Sequence, residues 1–442
     1  MVLQINTPIP KDLPLDLPLP EWLLVSLLII SFLLHIVFIN LMVGGSIITL
    51  WAQIKGLKHK EYDILAHEIA KTITVNKSIA VVMGVAPLLS INTLYTLYFY
   101  SANALTGFAW IMIIPLVTIA FLLTYLHKYT WHSLEKNKSL HIAIMGLAVA
   151  IFLFIPLIFL TNVNLMMFPE KWGTVKGFLS ALLLPNVFPR YFEFLGACLT
   201  ITGIFLVWYN GRKSYPVEEI YTNFTRNTIK RIGYSITTLG LSLQILFGII
   251  VLFTLPSKGI SYLVIAVMAG AGLLLANALW LCYKTITQNE IIIDKHFKKI
   301  ALSILCFLCF YGGSRQMYRH NALEKHQELV AVHTAEFQKL SKQAREEALV
   351  LQQQEAAAPK TDADLGKGVF NQYCAACHKP DVKLVGPPVI EMASIYKGDK
   401  SNLQKWIKAP GKKRADSPQM PGFPQLSQSE LDQLSEYILT IQ

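Results

Sequence analysis

Cys374-Ala375-Ala376-Cys377-His378 brings two thiols and an imidazole within one turn of chain, and Gln419-Met420-Pro421-Gly422-Phe423 follows later with a thioether on a Pro-Gly loop. A Cys-x-x-Cys-His run is the attachment sequence of a c-type haem. Its thiols add to the porphyrin vinyl groups, one helical turn between them matches the spacing of those groups, and the adjacent imidazole lies under the iron. A methionine across the ring suits the sixth position, because His/Met ligation raises the potential of an electron-transfer haem. The competing chemistry is a zinc or redox thiol pair. Zinc needs two further Cys or His ligands nearby, and His378 is the only His after His333.

The elements around these residues form a recognisable order. A helix over Asp364–Tyr373 leads into the motif, and Gly386-Pro387-Pro388 supplies a turn to pack on His378. Asn402–Lys408 reads as a middle helix carrying Trp406. Ser427–Ile441 reads as an amphipathic closing helix, with Leu431, Leu434, Tyr437, Ile438 and Ile441 on one face. Residues 362–442 resemble a class I cytochrome c throughout. The resemblance implies one covalent haem c, anchored by Cys374 and Cys377 with His378 and Met420 as axial ligands of the haem iron, and one-electron transfer as the activity.

The remainder is a membrane protein. Of 442 residues 53% are hydrophobic, and mean hydropathy is +0.44. Apolar runs long enough to span cover Trp22–Leu50, Ser78–Tyr100, Phe108–Leu126, Ile142–Thr161, Tyr191–Tyr209, Ile232–Leu255, Ile260–Tyr283 and Phe297–Gly313. The expected fold class is all-α: a polytopic bundle of about eight spans over 1–315, a polar helical linker over 316–361, and the soluble C-terminal domain over 362–442. Met1–Pro20 is Pro-rich with a single Lys, so the first span is expected to stay as an anchor. Lysines and arginines crowd the odd loops (Lys55, Lys58, Lys60; Lys128, Lys136, Lys138; Arg212, Lys213, Arg226; Lys295, Lys298, Lys299), while loops two and six hold only Lys258. The odd loops therefore belong in the cytoplasm, and both termini outside. The compartment expected is the inner membrane of a bacterium, crossed several times, with the haem domain in the periplasm. The net charge of +11 is then mostly a cytoplasmic rim, and no nucleic-acid partner is expected.

Ionisable and strongly polar residues inside spans are costly and commonly functional. His35 lies mid-span in the first helix, followed by Asn40 and by Gly44-Gly45, small enough to admit a flat macrocycle. Asn92, Glu193 and Met268 share its depth in the outer leaflet. Interhelical hydrogen bonding for His and Asn, and core filling for Met, are the competing roles.

The first seven spans distantly resemble subunit I of cytochrome bd-type quinol oxidases. The resemblance is carried by His35, Gly84-Val85, Asn162-Val163-Asn164-Leu165-Met166-Met167-Phe168-Pro169 and Met268-Ala269-Gly270. It implies a high-spin haem on the first-helix His, a low-spin haem b between a seventh-span Met and a fifth-span His, and an oxygen-reducing haem near a second-span Glu. Here His35 and Met268 match, Glu193 stands at the fifth-span His, and Asn92 stands at the second-span Glu. Only Pro256-Ser257-Lys258-Gly259 occupies the place of the long quinol loop. A haem b in the bundle, held by His35, Met268 or Glu193, is the second cofactor implied, and a related bundle subunit is an implied partner.

His59, His67, His127, His132, His141 and His296 lie beside lysine-rich loops and are expected at the interface. Gln316–Ala358 reads as a solvated helical spacer rather than a metal site on His320, His326 and His333, with Ala356-Ala357-Ala358-Pro359 as a joint. Cys198, Cys282, Cys306 and Cys309 are expected to pack as small hydrophobes. Three functional classes follow, in this order: a membrane redox subunit passing electrons between the bundle and a soluble cytochrome or redox enzyme outside; a terminal oxidase or other gas reductase with a fused entry port; and an anchor for other subunits. No catalytic residue is assigned.

Overall fold

The computed structural model describes residues 17–287, 295–357, 361–414 and 417–441, which form helices and no strand. Residues 1–16 and the Ala358-Pro359 joint lie outside the described residues. The chain divides into two units, Met1–Glu336 and Phe337–Gln442.

The first unit is built from α1 (Glu21–Gly56), α2 (Lys60–Leu94), α3 (Thr96–Thr106), α4 (Phe108–Tyr129), α5 (Lys138–Leu165), the short α6 (Phe178–Leu182), α7 (Val187–Gly211), the short α8 (Val217–Ile220), α9 (Arg226–Thr254), α10 (Tyr262–Thr287) and the start of α11 (Phe297–Ala357). Seven helices are long and apolar enough to cross a membrane, and a bent pair makes an eighth. Large side chains such as Ile111, Ile114 and Leu273 are exposed on these helices, as lipid contact requires.

The second span departs from the straight helix expected. It breaks at Tyr95, where α2 and α3 meet at 109°. The bend turns Tyr98, Phe99 and Ala102 into a buried cluster with Met166, Met167, Phe168 and Trp172. Gln316 anchors the corner by donating to the Tyr95 hydroxyl at 2.6 Å.

Glycines bring two spans into close contact. On α7 and α9, Gly196 faces Gly240 and Gly203 faces Gly233; a Cβ at any of the four would come within 2.5–2.9 Å of the facing glycine's carbonyl oxygen. Small residues permit this approach where lipid supplies no hydrophobic drive between helices. Gly44 serves the same end rather than clearing room for a macrocycle: it lies against the Cys198 carbonyl and Thr202.

α11 is a single helix of 61 residues. It runs through the expected 316–361 linker as far as that segment is described, and the boundary between the units falls inside it at Glu336.

The second unit continues with α12 (Asp362–Tyr373), α13 (Val389–Ile395), α14 (Lys400–Lys408) and α15 (Gln428–Thr440). Thr361/Asp364 and Ser427/Glu430 form capping boxes that start α12 and α15, each satisfying two backbone donors that a helix start otherwise leaves open. α12 and α15 cross at Gly366, where a Cβ would collide with the Gln433 carbonyl. Phe370, Leu403, Ile407, Leu431, Leu434 and Ile438 fill the core.

Gly240→Val is expected to force α7 and α9 apart at a cost of about 1–3 kcal/mol. It should lower the thermal transition of the detergent-solubilised protein, whereas Gly270→Ala, where a Cβ meets open space, should leave it unchanged.

Candidate functional site

In the second unit, Cys374, Cys377, His378 and Met420 line one pocket of about 170 Å³. α12 delivers the cysteines: the Cys374 amide donates to the Phe370 carbonyl at 2.8 Å, and the His378 amide to the Cys374 carbonyl at 3.0 Å. His378 is 6% exposed. Its Nδ1–H donates to the Pro387 carbonyl at 2.8 Å, so Nε2 is the nitrogen left for a metal, the arrangement that orients ligating histidines generally. Gly386 lies flat against the ring, where a Cβ would overlap it. The Gly386-Pro387-Pro388 turn therefore holds the imidazole by both contact and hydrogen bond. The Met420 loop is tied back where the Phe423 amide donates to the Ile407 carbonyl at 3.0 Å.

Apolar side chains of Phe370, Leu403, Ile407 and Ile438 form the pocket interior, while Lys412, Lys413 and Arg414 stand along its lining. Lys413 Nζ lies 4.1 Å from the Trp406 ring centroid and donates to the Tyr396 hydroxyl at 3.0 Å; Arg414 pairs with Glu391. Neither the Pro387 carbonyl nor this boxed cation is legible from spacing alone. Their roles come from turn geometry and from packing between α13 and α14.

A macrocycle with an apolar body, two thioether attachment points and iron fits these residues. Burial pushes the Cys374 thiol up to about 11, so in the haem-free chain it is protonated at neutral pH.

In the bundle, the His35 ring lies on Gly84 of α2 and donates from Nδ1 to the Ala80 carbonyl at 2.9 Å, again leaving Nε2. Glu193 is buried and accepts a hydrogen bond from the Tyr311 hydroxyl at 2.7 Å, with Arg190 and Arg315 as charged neighbours. Met268 packs on the aromatic cluster around Tyr95 and Tyr98. No hydrogen bond joins His35, Glu193 and Met268 to one another among the described residues, and Asn92 is exposed.

Two of the histidines expected at the interface are buried against each other. His127 and His141 are 1% and 0% exposed and stack with ring centroids 4.0 Å apart. His127 Nε2–H donates to Gln53 Oε1 at 2.9 Å, Gln53 Nε2 donates to His141 Nδ1 at 2.6 Å, and His141 Nε2–H donates to the His127 carbonyl at 2.7 Å. Polar Gln53 on an apolar helix is the signal that sequence offers for this cluster. His326 is likewise buried, bonded to the Tyr98 hydroxyl at 3.1 Å, and no group of three metal-ligating side chains occurs among the described residues.

Two results are expected of the haem site. Gly386→Val should cut the share of chain carrying covalent haem severalfold by haem staining against total protein, with Lys367→Ala, on an exposed position, as the unaffected control. In haem-free protein, alkylation of Cys374 should be slow at pH 8 and climb as pH approaches 11, read by mass spectrometry.

Comparison with known proteins supports the division of the chain. The family model for cytochrome c matches residues 363–442. No curated protein sequence matches. Among solved structures, a chain of the bd oxidase from Geobacillus thermodenitrificans is similar at a TM-score of 0.52 and 12% identity, covering 76% of this chain and 98% of that one. Residues 363–442 are a cytochrome c domain, which implies a covalent haem c, and the helical part ahead of it has the fold of that bd oxidase chain.

Proposed function

We propose that the chain is the membrane-bound c-type cytochrome subunit of a respiratory electron-transfer complex, passing electrons between a redox centre in the bundle and a partner outside the membrane. The observation that carries this is the convergence of Cys374, Cys377, His378 and Met420 on one pocket. Haem c supplies a one-electron carrier there. Cys374 and Cys377 would anchor it, His378 Nε2 and the Met420 sulfur would ligate its iron, and the Pro387 carbonyl holds the imidazole in its tautomer. Phe370, Leu403, Ile407 and Ile438 keep water away, which limits solvent reorganisation when charge changes.

In the bundle we assign His35 as the residue that holds a loosely bound haem b. Its Nδ1–H···O=C bond to Ala80 orients it as His378 is oriented. Met268 and Glu193 are the further candidates; the Tyr311 bond on Glu193 weighs toward His35. The lysine-rich odd loops favour a cytoplasmic face opposite the haem c side, in a bacterial inner membrane. The partners that fit are lipid, a related bundle subunit, and a soluble cytochrome or redox enzyme.

The likeness to a bd oxidase chain favours a second reading: a terminal oxidase or other gas reductase with haem c as its entry port. A pyridine haemochrome spectrum with acid-acetone extraction should find haem c plus extractable haem. Haem c alone would refute the bundle centre. Carbon monoxide binding to the reduced extractable haem would select the oxidase. Met420→Ala should lower the midpoint potential of haem c by more than about 59 mV, tenfold in a one-electron couple, without releasing it.

A further inference from the structure

The junction of α10 and α11 gathers cations without a counter-charge. Asn277 of α10 donates to the Ser303 hydroxyl of α11 at 2.9 Å. Ala278, Leu281 and Cys282 share a buried cluster with Ile300 and Ile304, so the two helices run side by side to this end. Lys284 stands two turns beyond Asn277, and His296 two turns before Ser303. Lys295, Lys298 and Lys299 are exposed around the start of α11. Lys284 Nζ lies 5.0 Å from the Trp280 ring centroid. None of these four lysines forms an ion pair among the described residues.

His296 sits in their midst. It is 8% exposed, and its Nδ1 has no hydrogen-bond partner among the described residues, a state that costs a buried polar atom its lost hydration. Its carbonyl accepts from the Ile300 amide at 3.0 Å, which puts this residue at the entry of a helix of 61 residues. The amides of Phe297, Lys298 and Lys299 come too early to find an acceptor inside that helix, and the aligned peptide dipoles add positive potential at the same point. Burial, and then Lys284, Lys295 and Lys299, hold the imidazole pKa below its ordinary value, so the field of all three cations reaches the ring. A helix start, an open imidazole nitrogen and unpaired lysines converge on one requirement, an anion with several oxygens.

The neighbouring surface selects the anion. Leu302 and Leu305 follow Lys298 at i+4 and i+7 on one face of α11, and they are 60% and 57% exposed. Trp280 and Tyr283, near the end of α10, are 57% and 63% exposed, and rings of this kind settle at headgroup depth. Cations at the helix end with an apolar stripe starting one turn deeper match a charged headgroup with hydrocarbon chains below it. A free phosphate would use the cations and leave the stripe unused.

We propose that this junction binds the phosphodiester of an anionic phospholipid, held by His296, the opening amides of α11 and Lys284, Lys295, Lys298 and Lys299, with its acyl chains along Leu302 and Leu305. His296 Nδ1–H donates to an unesterified phosphate oxygen, which gives the ring the partner it lacks within the chain.

Native mass spectrometry of the full-length protein, delipidated in detergent and titrated with phosphatidylglycerol, tests the site. One phosphatidylglycerol is expected to bind at least tenfold more tightly than phosphatidylcholine. The triple variant Lys295→Gln/Lys298→Gln/Lys299→Gln should lose that preference. The triple variant Lys58→Gln/Lys60→Gln/Lys136→Gln, which removes the same charge from exposed positions on other loops, should keep it. His296→Leu should weaken phosphatidylglycerol at least threefold, and His296→Gln, which retains a donor, should restore it. Equal loss in the two triple variants marks diffuse surface charge and overturns the site, as does phosphatidylcholine bound as tightly as phosphatidylglycerol or a His296→Leu protein that binds as the wild type does. Inorganic phosphate that displaces phosphatidylglycerol at equal concentration assigns the junction to a free anion and overturns the lipid.

Discussion

Hydrocarbon offers no hydrogen bonds, and the first unit is arranged around that constraint. Every backbone donor and acceptor in the bilayer core must be met inside the chain, which makes each span a helix. Helices in lipid gain little from burying leucine, so close approach and polar contacts decide which pair. The facing glycines of α7 and α9 and the Thr200–Gln244 bond of 2.8 Å between the same helices are both responses to it. The break at Tyr95 is tolerable for the same reason: the freed corner is covered by Gln316 and by the aromatic cluster rather than by lipid.

The second unit faces the opposite problem. In water a domain of this size has little core to draw on, and much of its interior surrounds a pocket rather than other side chains. Stability is recovered locally. Two capping boxes fix the starts of the first and last helices, and Gly366 lets those helices touch backbone to backbone. The Ser427 bonds hold the Glu430 carboxyl below its ordinary range. A carboxyl lowered in the folded state contributes stability above its unfolded value and loses it as pH falls, so the α15 cap weakens in acid. Cofactor attachment completes what packing alone leaves open.

How much of this is legible in the sequence follows the same physics. Residues 374–378 and Met420 are legible because covalent chemistry fixes their types and order. Span count is legible because hydrocarbon thickness fixes length. The bend at Tyr95 is not, since Ser78–Tyr100 reads as one run long enough to span and the break depends on aromatic partners far along the chain. His127 and His141 escape a sequence reading because nearness to lysines says nothing about which face of α4 or α5 a ring occupies. Gly44-Gly45 read as room for a ligand, but at Gly44 the room is taken by α7.

The departures from the bd-type pattern gain meaning together. Asn92, at the place of a carboxylate, is exposed. Glu193, at the place of an imidazole, is bound by Tyr311. The short Pro256–Gly259 turn is filled: Tyr318 bonds the Pro256 carbonyl at 3.1 Å and lies against Gly259. These three departures are occupied by packing or turned away, whereas His35 keeps the orienting bond that a ligand needs. A bundle shaped in this way retains one well-prepared imidazole, held against α2 by its own backbone.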